Sequence, residues 1–177
     1  MPASGRLAAP LDDDDHVAGD RSAPLQLVMY GDFQCPYCTA AQPILARVRD
    51  RLGERLLFAF RHFPLSEIHP DAERAAEVAE AAAAQGAFWE MHDALYRLRG
   101  ELGERDVLGA ARKLGLDARR IEAELRDGVH AARVQRDLES GRGSGVHGTP
   151  GFFANGAQLD GAFDARSLIE ALERSAG

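Results

Sequence analysis

Cys35-Pro36-Tyr37-Cys38 holds both cysteines of this 177-residue chain, and the place of that pair constrains the fold more than any other feature. It follows an apolar run, Leu25-Gln26-Leu27-Val28-Met29-Tyr30, which ends at Gly31-Asp32. The run's length and its glycine boundary suit a buried strand better than a helix. Pro36 is welcome in the first turn of a helix, where its missing N–H costs nothing. A helix is therefore predicted from Pro36 to about Leu52, with Gly53 as its C-terminal glycine. Arg55-Leu56-Leu57-Phe58-Ala59-Phe60-Arg61-His62-Phe63 reads as a second buried strand, stopped by Pro64. Strand, helix and strand within about forty residues form a βαβ unit, with parallel strands and a right-handed crossover.

From Pro70 to Gly141 the pattern is helical throughout. Ala72 to Ala84 is rich in alanine, the best helix former. Phe88, Met91, Leu95 and Leu98 repeat at helical spacing, as do Val107, Ala111 and Leu114. Gly115 ends that segment, and Asp117 caps a further helix carrying Ile121, Leu125 and Val129. The final third returns to sheet: Gly151-Phe152-Phe153-Ala154 and Ala157-Gln158-Leu159-Asp160 flank Asn155-Gly156, a two-residue hairpin signal. Asp164 then caps a last helix with Leu168, Ile169 and Leu172. The expected organisation is a flexible acidic segment over 1–23, a core over 24–66 and 142–177, and a helical insertion over 67–141. No linker separates that insertion from its flanks, so it is not read as an independent domain.

A chain of this length buries roughly 70% of its unfolded surface, so it needs no disulfide staples. Apolar content of 45% and charged content of 28% are ordinary for a globular protein. A formal net charge of −7 argues against nucleic acid or an anionic membrane as the main partner. No apolar stretch approaches the ~20 residues that a membrane span requires. Residues 1–20 carry no apolar core of a secretory signal, and the acidic run Asp12 to Asp15 reads as a solvated tail. That favours the cytoplasm; a chain trimmed of an export signal, and so periplasmic or extracellular, reads the same way.

A lone cysteine pair in a reducing compartment is more often catalytic or metal-binding than structural. Here the chain leaves a strand and starts a helix at the cysteine itself. Cys35 is then expected where free backbone N–H groups and the positive end of the helix dipole converge. Both stabilise a thiolate, and such settings bring a free-thiol pKa of ~8.5 into the range ~3.5–7.5. Cys38, one turn inward, is placed to attack a mixed disulfide formed at Cys35. The competing reading is half of a zinc site. Zinc takes four ligands, and neither a second cysteine pair nor a ligand-spaced histidine pair is present, so no metal is expected.

At this point the sequence resembles a known family. Cys35-Pro36-Tyr37-Cys38 after the first strand resembles the active site of the thioredoxin superfamily. Pro43 matches the proline that kinks the active-site helix there. Gly148-Thr149-Pro150 is similar to the loop whose proline is cis and faces the cysteines. Gly31-Asp32-Phe33-Gln34, Phe63-Pro64-Leu65 and the long helical insertion resemble the DsbA-like branch, both its stand-alone bacterial members and the thioredoxin-like domains attached to sodium/proton antiporters. The likeness covers roughly residues 24–175. It implies an α/β thioredoxin fold with an all-helical insertion between the second parallel strand and the Pro150 loop. It implies Cys35 and Cys38 as catalytic residues, supported by Pro36, Tyr37 and Pro150, with Thr149 and Pro150 presenting backbone to a client peptide. Related sequences often carry a glutamate six residues before the first cysteine, where this chain has Met29. That leaves the proton of the resolving thiol to water or to Asp32.

Other residues take plainer roles. His147 reads as a solvated loop histidine. His62 and His69 are explained by hydrogen bonding at a strand end and a helix start. Phe88, Trp89 and Met91 read as core before groove.

The expected function is thiol-disulfide exchange with protein or peptide thiols, needing no cofactor beyond the redox-active Cys35-Cys38 disulfide. Oxidation, reduction and isomerisation share that chemistry, so the direction stays open, as does recharging by glutathione or a thioredoxin system. The alternatives are a client-binding or zinc-binding module on the same fold, and a glutathione-linked reductase, since Pro36-Tyr37 also occurs in glutaredoxins.

Overall fold

The structure, a computed structural model, describes residues 5–161 and 163–176. In chain order the elements are β1 (His16–Ala18), β2 (Leu25–Gly31), α1 (Pro36–Leu52) and β3 (Leu56–His62). Five helices follow: α2 (Ala72–Ala83), α3 (Phe88–Arg97), α4 (Glu104–Lys113), α5 (Ala118–Arg126) and α6 (Ala131–Gly143). The chain then makes β4 (Gly151–Ala154), β5 (Ala157–Leu159) and α7 (Ala165–Ser175). The five strands form one sheet in the order β1-β3-β2-β4-β5. This is an α/β thioredoxin fold with helices α2 to α6 inserted between β3 and the Pro150 loop.

The chain divides into two compact units. One holds Gly31 and what precedes it, Ala40–Arg61, and Glu139 onward. The other holds Asp32–Thr39 with His62–Leu138. The cysteine segment thus groups with the helices, whereas the sequence reading assigned it to the sheet core and began the insertion at residue 67.

In the sheet unit β2 and β3 are buried almost throughout, which is why they read as continuous apolar runs rather than alternating ones. α1 ends at Leu52; Gly53, at φ +53°, opens a tight 3₁₀ turn to Arg55 that delivers the chain to β3. The β4–β5 hairpin turns at Asn155-Gly156, both with positive φ (47° and 84°), the geometry that two-residue hairpins of this type need. Asn155 also ties the hairpin down: its Oδ1 accepts from the Gln26 N–H at 2.7 Å, and its Nδ2 donates to Ser175 Oγ at 2.8 Å. Asp164 and Ser167 close a capping box on α7.

The N-terminal segment differs from its expected role as a mobile acidic lead-in. β1 pairs antiparallel with β3, His16 opposite Phe60 and Ala18 opposite Phe58. Leu7 N–H donates to Gly156 O at 2.9 Å, and Arg6 bridges to Ala157. The acidic run is not a solvated tail at its end, because Asp15 is buried against Arg61. Arg61 Nε and one Nη each donate to Asp15 at 2.8 Å, a bidentate pair. The remaining guanidinium donors reach Ala9 O, Pro10 O and the Tyr30 hydroxyl. All five N–H groups of a buried arginine are therefore satisfied. Burial works against the ionised Asp15, but the Arg61 hydrogen bonds, the Asp12 backbone N–H and the Arg61 charge together outweigh it and hold the carboxyl below its ordinary range.

In the helical unit, α2 packs against α3, α4 and α5. Its buried face is nearly all small: Ala72, Ala75, Ala76, Val78, Ala79, Ala81 and Ala82. α3 contributes Phe88, Met91 and Leu95, and α4 contributes Val107, Leu108 and Ala111. Asp117 caps α5 by accepting from Arg120 N–H at 3.0 Å. Val129 does not continue the α5 stripe as expected. The helix ends at Arg126, Gly128 turns the chain at φ +64°, and Val129 is exposed.

Candidate active site

β2 ends at Gly31, and the next eight residues build the site. The Asp32 carbonyl accepts from Cys35 N–H at 3.2 Å, which turns the chain. The Asp32 carboxylate is fully buried and accepts three hydrogen bonds: from Gln34 N–H at 2.7 Å, Leu65 N–H at 2.9 Å and His69 Nδ1 at 2.8 Å. Gln34 adds a further tie, its side-chain carbonyl accepting from Asp71 N–H at 2.8 Å. The segment entering the cysteine pair is thereby fastened to the loop before α2.

Cys35 is the N-cap of α1: its carbonyl accepts the first intrahelical bond, from Thr39 N–H at 3.1 Å. The first-turn N–H groups that lack an intrahelical partner therefore begin beside Cys35. Cys38 lies at the third helical position. Both cysteines are free thiols, Cys35 3% exposed and Cys38 0%. Pro36 and Tyr37, between them, face solvent, and Tyr37 is 73% exposed.

Behind the cysteines lies an aromatic cluster. The Phe33 ring packs against Tyr96 (centroids 4.9 Å apart), His92 (5.7 Å) and His62 (6.0 Å). His62 Nε2 pairs with Glu80 Oε1 at 2.8 Å, and His92 Nδ1 with Asp93 at 2.8 Å. The Tyr96 phenol is buried. Burial, and then the negative charge available on Cys38, Asp32 and Cys35, push it well above its ordinary value. Tyr96 therefore stays protonated.

The structure brings Cys35, Pro36, Tyr37 and Cys38 together with Asp32 and His69. The His69 hydrogen bond agrees with the helix-start role read from sequence, and its partner is now Asp32. Tyr96, His92 and Glu80 were not singled out in the sequence. The signal for two of them was present: His92 and Tyr96 are four apart, on the same buried face as Met91 and Leu95, where polar aromatics need a reason to be.

The other expected positions belong to the sheet unit. The Thr149-Pro150 peptide bond is cis. Tyr30 pairs with Gly151, so Pro150 enters β4 at the end of the sheet where β2 finishes. Met29 is a fully buried core residue opposite Phe152, in keeping with its plain reading. Pro43 lies inside α1, and His147 is exposed.

A family model described as thioredoxin matches residues 11–174. The chain belongs to the thioredoxin family. Within that family its relatives include Na(+)/H(+) antiporter NhaA 1 of Salinispora arenicola, 46% identical over 169 residues. That match takes in 94% of this thioredoxin chain and 26% of the relative. Na(+)/H(+) antiporter NhaA of Herminiimonas arsenicoxydans is 40% identical, with 27% of its length matched. The chain thus spans about a quarter of the curated relatives it matches. No described helix is long and apolar enough to cross a membrane. A thioredoxin-like oxidoreductase from Silicibacter pomeroyi superposes with a TM-score of 0.83 at 26% identity, covering 93% of each chain. BdbD from Bacillus subtilis superposes with a TM-score of 0.87 at 18% identity, covering 99% of each. The catalytic domain of Proteus mirabilis ScsC gives 0.78 at 22%, covering 93% and 90%. The last two likenesses, below 25% identity, show a shared fold.

Proposed function

We propose that this thioredoxin-family chain is a thiol-disulfide oxidoreductase acting on protein or peptide thiols, with Cys35 as nucleophile and Cys38 as resolving thiol. The observation that carries this reading is the position of Cys35 as N-cap of α1, with Cys38 fully enclosed one turn inward. A thiolate at a helix N-terminus is stabilised by unpaired backbone N–H groups and by the dipole, and the thiolate is the nucleophile. Cys35 attacks a client disulfide, or is attacked as half of its own, and a mixed disulfide forms. Cys38 then displaces the client sulfur. The N-cap position of Cys35 and the complete enclosure of Cys38 favour Cys35 for the first step.

Thr149 offers its main-chain N–H and C=O to the client as a short added strand, with Pro150 beside it. The alignment of Gly151 with Tyr30 is in keeping with this role, since it sets that loop at the end of the sheet where β2 finishes. Exposed Tyr37 supplies an apolar contact for the client. Oxidation, reduction and isomerisation all use this chemistry, and the surrounding glutathione or thioredoxin poise selects among them.

The test is a pair of variants. Cys35→Ser is expected to abolish insulin disulfide reduction, and Cys38→Ser to accumulate a covalent client adduct visible by mass spectrometry. Full activity in Cys35→Ser would remove the assignment.

A further inference from the structure

The turn between α3 and α4 carries an arginine where its backbone is least at ease. Glu101 N–H donates to Leu98 O at 3.0 Å, closing a turn around Arg99 and Gly100. Both central residues have positive φ, 51° for Arg99 and 90° for Gly100. Turns of that kind favour Asn-Gly or Gly-Gly, because a Cβ is crowded at positive φ. Gly100 answers that preference and Arg99 does not.

This turn lies against the residue that precedes Cys35. Gln34 Nε2 donates to Gly100 O at 3.4 Å. A Cβ built on Gly100 would stand 3.9 Å from the Gln34 carbonyl oxygen, and Cys35 follows that carbonyl directly. Standard bond lengths then place the Gly100 Cα no more than about 8 Å from the Cys35 Cα, and the Arg99 Cα no more than about 12 Å from it. That gap is within the span of an arginine side chain together with one client residue beside the reacting sulfur.

Arg99 is exposed, and its guanidinium takes part in no ion pair or hydrogen bond among the described residues. Arg74, Arg120 and Arg133, elsewhere in the helical unit, are each paired with a carboxylate. Exposed Arg97 and Glu101 carry opposite charges on either side of Arg99. A guanidinium stays charged at any pH the protein meets, and its fork matches a carboxylate with two parallel hydrogen bonds. The whole chain carries −7 and so repels anions at long range; a cation close to the nucleophile reverses that locally.

We propose that Arg99 is a specificity-determining residue for exchange at Cys35, selecting client segments with a carboxylate beside the reacting disulfide; this rests on the exchange reading above. An acidic side chain next to the client cysteine pairs with Arg99 while Cys35 attacks. The Cys35 thiolate forms a bond to one client sulfur, the client disulfide breaks, and the other sulfur leaves with the electron pair as a thiolate. Arg99 takes no part in that bond change. It raises the share of encounters that lead to it.

The experiment follows the reduced full chain with two coloured disulfides in a stopped-flow instrument. One is 5,5′-dithiobis(2-nitrobenzoate), a dicarboxylate, and the other is 4,4′-dithiodipyridine, which is uncharged near neutral pH. Arg99→Asn puts at the turn a residue that tolerates positive φ, so urea stability should be kept or raised. Its second-order rate with the dicarboxylate is expected to fall about threefold, the size of a water-screened attraction between unit charges several ångströms apart, with the neutral reagent unchanged. Arg99→Lys should keep most of the preference, and salt should weaken it in the wild type. Disulfide-linked peptides with glutamate or glutamine beside the cysteine, together with oxidised glutathione, identify the source of the carboxylate. A selective loss for the glutamate peptide in Arg99→Asn supports the client assignment, and a loss confined to glutathione overturns it. If Arg99→Asn slows both coloured reagents alike, or neither, the proposal is overturned. A wild-type chain that releases no second equivalent from the neutral reagent, leaving Cys35 capped, removes the exchange reading itself.

Discussion

Arg61 in the sheet unit and Asp32 in the helical unit are each 1% exposed, yet their partners differ in kind. Every donor of Arg61 is taken: by Asp15, by two carbonyls of the N-terminal segment and by Tyr30. Both charged side chains are enclosed, and what the cluster accomplishes is to fasten residues 9–15 to β3. Asp32 is also well bonded, but one of its partners is a partly exposed imidazole, and Asp32 itself lies three residues before Cys35. A sealed ion pair fixes chain path. A cluster with one partly exposed member keeps a contact with water. The two buried charges are thus read apart by where their hydrogen bonds end, not by how deep they lie.

The largest expected effect tests the sealed cluster. Arg61→Ala leaves Asp15 enclosed and unpaired, and should cost about 3–5 kcal/mol in urea unfolding. Replacing both partners by apolar residues, Arg61→Met with Asp15→Leu, should recover most of that loss. If the double variant is as unstable as the single one, the pair does more than hold chain path. Asp32→Asn comes next: it keeps the shape but weakens the clamp on Leu65 and Gln34, for about 1–3 kcal/mol in the same assay. A cost equal to that of Arg61→Ala would erase the contrast between the two sites. The smallest effect is acid-dependent. Because Asp15 is held below its ordinary value, its contribution is complete above that value and is lost as pH falls through the lower, folded one. The urea midpoint should therefore drop below about pH 4, and it should drop less steeply in Asp15→Asn.

Where local chemistry decides, the elements were legible. α1 begins and ends where Pro36 and Gly53 place it, the hairpin turns at Asn155-Gly156, and Asp164 caps α7. The cysteine pair was found because two such residues at a strand-to-helix junction are rare without a purpose. What stayed hidden depends on partners far along the chain. Four consecutive aspartates read as solvated, and only Arg61, 46 residues from Asp15, makes one of them core. Asp32 lies close to Cys35, but two of its donors come from Leu65 and His69. Tyr96 drew no notice in the sequence, because its packing on Phe33, 63 residues earlier, exists only in the fold.

Three residues of β1 have a consequence out of proportion to their number. β3 is buried along its whole length, and β1 is what covers the flank of it that β2 does not. Clipping the chain after Ala18 would bare a row of unpaired amides and carbonyls on an apolar strand, an adhesive template for a neighbouring molecule. Cleavage at that point would turn the fold into a seed for strand exchange or precipitation, with both thiols still in place.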